Sequence, residues 1–161
     1  LGKDDDVYGD PAAALERYRK SRELTPQNAP WRHDLVMRSL ACLLRTGEPD
    51  KAMLLAADEM PNWGHSPDYH YLVGDILFAQ FQKRPDQGRD LLPMIEFSFN
   101  QALALGDSQE LSGSTTGRGS FLAADKLWAF HKAQGHSEKA EHFAALRDEL
   151  HARHKPEAAT A

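Results

Sequence analysis

The sequence predicts an all-α fold, a right-handed stack of antiparallel helical hairpins with about seven helices. Three observations carry this prediction. Apolar residues recur at helical spacing along most of the chain, as in Leu35, Val36, Leu40, Leu43 and Leu44. No run of alternating β-branched residues bounded by tight turns announces a strand. Glycine and proline interrupt the helical pattern often, so the helices are short and most connections brief.

The elements follow in order. Pro11 to Leu24 reads as the first helix: Asp10 caps it, Pro11 suits its first turn and Pro26 ends it. Ala14, Leu15, Tyr18 and Leu24 form its apolar face. Trp31 to Arg45 is the second helix, broken by Gly47 and Pro49, and Asp50 to Glu59 the third. Pro67 to Phe81 is the fourth, with Ser66 as cap, Pro67 in the first turn and Asp68 facing the positive helix end. Leu92 to Leu105, Ser120 to Gln134 and Ser137 to Arg153 complete the set.

The turn glycines set up an internal register. After Gly9 come Ala14, Tyr18, Ser21 and Pro26, five, nine, twelve and seventeen residues on. After Gly47, Ala52 matches and Ala56 stands for the aromatic; after Gly135, Ala140 and Ala144 do the same. Phe99 and Ala102 match the later positions in the fifth helix. A small residue lets two helices approach, and a large one fills the groove beside it. This pattern resembles the second helix of a tetratricopeptide repeat. The resemblance implies a half-repeat at 9–26 and hairpins at 30–60, 66–105 and 119–153, within a repeat domain spanning 9–154. Residues 1–8 are expected to be a linker and 155–161 a frayed tail. The period is irregular, at about 38 to 45 residues against the usual 34. A generic helical bundle is the alternative architecture.

Bulk properties narrow the function. The net charge is -5 and the basic residues are scattered, which argues against a nucleic-acid partner. No apolar run is long enough to span a membrane. The one cysteine, Cys42, lies in an apolar helical stretch, reads as a small core residue, and favours a cytoplasmic setting. The start at Leu1 reads as the interior of a longer protein.

Two segments carry a narrower resemblance. One runs from Trp63 to Leu77 and includes His65, Ser66, Pro67, Asp68, Tyr69 and His70. The other runs from Asn100 to Asp107 and continues in Gly113-Ser114-Thr115-Thr116-Gly117-Arg118-Gly119-Ser120. Together they resemble the helical repeat region that follows the catalytic domain in some bacterial family 2 glycosyltransferases. That resemblance implies an accessory region, not the catalytic machinery. The family's metal-binding Asp-x-Asp ends a strand, whereas Asp4-Asp5-Asp6 has no strand before it.

Candidate sites follow from residue types. The stretch from Gly106 to Ser120 is longer than a repeat turn needs. Its residues Ser114, Thr116, Gly117, Arg118, Gly119 and Ser120 could hold an anion at a helix start, with Ser120 as the cap; the bland alternative is a structural loop whose Arg118 pairs with a carboxylate. A groove lined by the first helices of the hairpins would present Tyr69, His70 and Asp75, and Trp128, His131 and Lys132 in the last hairpin. The aromatics Phe78, Phe81, Phe97 and Phe99 read as core. His151 and His154 are three apart without the Glu partner of a zinc motif, so no metal is expected. Ser66, Asp68 and His70 are too close in sequence for a hydrolytic triad, so no catalytic residue is expected. The expectation is a non-catalytic module without cofactor that binds a protein or peptide, with self-association into a homodimer left open. The alternative is the C-terminal accessory domain of a glycosyltransferase, serving acceptor binding or dimerisation.

Overall fold

A computed structural model describes residues 10–86 and 88–154. The expected linker 1–8, with Asp4, Asp5 and Asp6, lies outside the described residues, as do Gly9 and the expected tail 155–161. The described residues form seven α-helices and no strand. We number them α1 (Pro11–Leu24), α2 (Arg32–Arg45), α3 (Pro49–Trp63), α4 (Pro67–Lys83), α5 (Leu92–Leu105), α6 (Phe121–Ala133) and α7 (Ser137–His154). A short 3-10 turn, Arg89–Leu91, leads into α5. The all-α stack expected from the sequence is the fold.

Local chemistry accounts for most boundaries. Asp10 accepts from the Ala12 amide at 2.8 Å and Ser66 from the Tyr69 amide at 3.2 Å, so both act as N-caps. Pro11, Pro49 and Pro67 occupy first turns, where their missing N–H costs nothing. The third helix runs past the expected end at Glu59, through Pro61, to Trp63. Side-chain anchoring overrides the proline there. Glu59 is 4% exposed and accepts from Trp63 Nε1 at 3.2 Å and from the Arg32 guanidinium at 2.5 Å. Arg32 in turn donates to the carbonyls of Arg22 and Thr25, which fastens the end of α1 to α2 and α3.

Each helix packs on its neighbours in sequence, and α2 also lies against α4. The core falls into clusters that match these contacts. Ala14, Tyr18 and Cys42 join α1 to α2. Val36, Leu40, Ala52, Ala56, Trp63, Leu72 and Ile76 join α2, α3 and α4. Leu77, Ile95, Phe99, Leu127 and Phe130 join α4, α5 and α6. Of the small residues of the sequence register, Ala14, Ala52, Ala102 and Ala140 are buried, whereas Ser21 is only partly buried. At Gly74 two helices come close: a Cβ there would sit 2.7 Å from the Phe99 ring, so α4 meets α5 through a bare backbone.

The segment 106–120 is a folded hub. His33 is fully buried on α2; its Nδ1 lies 2.7 Å from the Ser112 carbonyl and its Nε2 2.8 Å from Ser66 Oγ. A carbonyl only accepts, so Nδ1 carries a proton, and in the neutral imidazole Ser66 donates to Nε2. Gly113 has φ +72 and lies against Asp34, where any Cβ would stand 2.2 Å from the carboxylate. The loop thus ties α2 to α4 and leads into α6.

Candidate functional site

The face of α4 decides what lies beside α6. Asp68, Tyr71, Asp75 and Phe78 recur three and four residues apart, so they share one side of the helix. The first half of that side is polar and closed. Asp68 is 1% exposed; its Oδ1 accepts from the Thr115 amide at 3.0 Å and from Arg118 at 2.9 Å. Two turns on, Asp75 pairs with Lys126 of α6 at 2.6 Å. Between these pairs the Tyr71 ring takes the Arg118 guanidinium at 5.5 Å and the Lys126 ammonium at 5.4 Å. Burial works against the charge on Lys126, but the Asp75 carboxylate outweighs it and holds the ammonium above its ordinary pKa. Burial, and then the Asp75 charge, push the Tyr71 phenol up.

Beyond this ladder the helices part. Whereas α2 and α4 lie side by side, α4 and α6 approach less closely, and the space between them is a cavity of about 350 Å³. Phe78 and Phe81 come from α4, Leu92, Ile95 and Phe99 from α5 beneath, and Ala129, Phe130 and Ala133 from α6. Asp75, Asp125, Lys126 and Gln134 are the polar members of its lining. Ala129 and Ala133 are one turn apart and exposed, so the α6 wall is low. Phe78 remains 40% exposed at the rim. A concave, mostly hydrocarbon surface with a few polar groups at its edge is suited to non-covalent recognition.

The residues expected to line a groove take different places. Asp75 rims the cavity. Tyr69 is buried, and its hydroxyl donates to the Ala56 carbonyl at 2.7 Å, towards α3. His70 lies 2.8 Å from the Gly64 carbonyl. Trp128 is covered by Lys132 at 4.9 Å and Arg147 at 5.2 Å, and with Lys132 it lines a separate hollow against α7. Sequence reasoning passed over Phe78, Phe81, Phe99, Ala129 and Ala133. The aromatics read as core, and the signal that distinguishes them is the pair of alanines facing them from α6.

Of the loop residues expected to hold an anion, Gly117, Arg118, Gly119 and Ser120 are engaged by carboxylates. Asp107 Oδ1 accepts from the amides of Gly117 at 3.0 Å and Gly119 at 2.8 Å, and its Oδ2 from the Ser120 hydroxyl at 2.6 Å. Ser120 occupies the N-cap position of α6 but makes no side-chain cap bond; its hydroxyl serves Asp107 instead. Ser114 Oγ donates to the Leu111 carbonyl, Arg118 is held by Asp68, and Thr116 is exposed. His154, at the end of α7, reaches Asp107 Oδ2 at 3.0 Å. Among the described residues no three His, Cys, Asp or Glu side chains converge as a metal site, and no helix is long and apolar enough to cross a membrane.

His131 is fully buried where α5, α6 and α7 meet. Its ring stacks on Phe143 at 5.4 Å, Nδ1 lies 3.4 Å from His136 Nδ1, and Nε2 lies 3.3 Å from Glu96. Burial lowers its pKa below the ordinary 6.5, against the pull of Glu96 and with help from Lys139 and His136. The folded state therefore prefers neutral imidazole and binds fewer protons than the unfolded chain just below that value. The stability His131 contributes is present above 6.5 and is lost as the pH falls through the lowered folded value. Urea midpoints at about pH 7.5 and about pH 5 should differ more for the parent than for His131→Phe, which keeps the stack without the titration. Parallel pH profiles would remove His131 from the account.

The chain matches no known family model and no curated protein.

Proposed function

We propose that this chain is a non-catalytic interaction module that holds a protein or peptide segment in the groove between α4 and α6. The observation that carries this reading is the cavity of about 350 Å³, walled by Phe78, Phe81, Phe99, Phe130 and two alanines. Burying a large apolar side chain is worth about 1.5–3 kcal/mol, so a few anchors suffice for a usable affinity. Selection from an unrestricted displayed peptide library should enrich sequences with large apolar residues. Their binding should perturb the amide signals of Phe78, Ile95, Ala129 and Ala133 and the methyl signals of Ile95, Ala129 and Ala133. Ala129→Trp, which fills the groove from an exposed position, should weaken them about tenfold. Enriched peptides whose signals map to another face, or that bind Ala129→Trp equally well, would defeat this reading.

A second reading keeps the module and attaches it to an enzyme, as an accessory region of a glycosyltransferase. It is supported by the meeting in space of the two segments that carry the resemblance: Asp68 from one holds Thr115 and Arg118 from the other. The expected outcome is a nucleotide-sugar-binding α/β domain with Asp-x-Asp encoded upstream of Leu1 in the full gene. An unrelated upstream sequence would dispose of this reading and leave the groove untouched.

A further inference from the structure

We propose that the segment held in the α4–α6 groove is an amphipathic helix that carries large apolar side chains at i, i+3 or i+4, and i+7, with a Lys or Arg beside them. This rests on the groove being the binding surface and adds the chemistry of its occupant.

Backbone satisfaction favours a helix in this groove. The groove is built from α4, α5 and α6, whose own N–H and C=O groups are used within the helices. Its centre offers only hydrocarbon, from Phe78, Ile95, Phe99, Ala129, Phe130 and Ala133. An extended segment laid there would leave its backbone donors and acceptors without partners. A helix pairs its own backbone groups and presents only side chains, so it fits such a surface.

The length of the groove also suits a helix. Asp75 to Phe81 covers about 9 Å of α4, and Asp125 to Gln134 about 14 Å of α6, at 1.5 Å per residue. Residues i and i+7 of a helix lie about 10 Å apart along its axis, which matches that span. The low Ala129–Ala133 wall leaves room for a third helix to lean on α6.

The charged rim favours a cation. The polar lining places two carboxylates, Asp75 and Asp125, and the ammonium of Lys126 at one end. Asp75 pairs with Lys126, and its side chain is 22% exposed. Asp125 meets Arg147 through Oδ1 at 3.1 Å, and its side chain is still 49% exposed. Asp125 is thus the more open carboxylate, and a cation one turn from the apolar anchors shares it with Arg147.

Two displayed libraries on the intact chain test this, one on a helical scaffold and one made of extended, proline-punctuated sequences. Helical clones should emerge with the stated apolar spacing and a Lys or Arg. Ala133→Trp should weaken them about tenfold. Asp125→Lys should weaken the Lys-bearing clones and improve versions in which that Lys is replaced by Glu. Circular dichroism of both variants, with Ala129→Trp as a second plug, separates lost binding from lost folding. Extended clones that are blocked by the plug would overturn the helical occupant while the groove stands. Clones indifferent to the plug, or no enrichment from either library, would overturn both.

Discussion

The structure turns on the ion pair between Asp68 and Arg118. Asp68 is nearly inaccessible and opens α4; Arg118 lies three residues before α6. Asp68 also accepts from the Thr115 amide, so one carboxylate both orders the loop and docks it. A buried carboxylate is tolerated only when its oxygens are paired, and removing one partner of such a pair costs about 3–5 kcal/mol. The Asp75–Lys126 pair repeats the arrangement two turns along α4. Between them Tyr71 packs under both cations. This ladder sets how α4 and α6 face each other, and the groove begins where it ends.

The loop is the reason the stack departs from uniform spacing. In the earlier part of the chain α2 and α4 touch directly, joined by the short turns around α3. Between α5 and α6 fifteen residues intervene, 106–120, folded on Asp107 and pinned to His33, Asp34, Asp68 and His154. The glycines serve this packing. They let the backbone pass close to Asp34 and present amides to Asp107. Two carboxylates organise the loop, Asp107 from within and Asp68 from α4.

Much of the fold was legible in sequence because it is local. The helices α1 and α5 begin and end where caps, prolines and periodicity place them. The end of α3 was not legible, because Pro61 breaks a pattern that Arg32, from a different helix, restores through Glu59. The groove was less legible still. Apolar periodicity reports that Phe78 and Phe99 avoid water, not whether another helix of this chain covers them. Asp75 was named for its place on a first helix of a hairpin, and in the structure it rims the cavity. Tyr69 and His131 were named for the same kind of place but turn inward, where the Ala56 carbonyl receives one and Phe143 and Glu96 enclose the other. Arg118 admitted two readings, and the carboxylate it pairs with is fifty residues away in sequence.

On this geometry the carboxylate-pinned loop spaces α6 from α4 and keeps the groove open. Distances between spin labels at Gln82 on α4 and Lys132 on α6, in a Cys42→Ala background, test it most directly. Both positions are exposed, and Cys42 is the chain's single cysteine. The account predicts one narrow distance distribution in the parent, and a broad or shifted one in the Asp68→Ala/Asp107→Ala double variant at unchanged helix content. An identical narrow distribution in both proteins would contradict it.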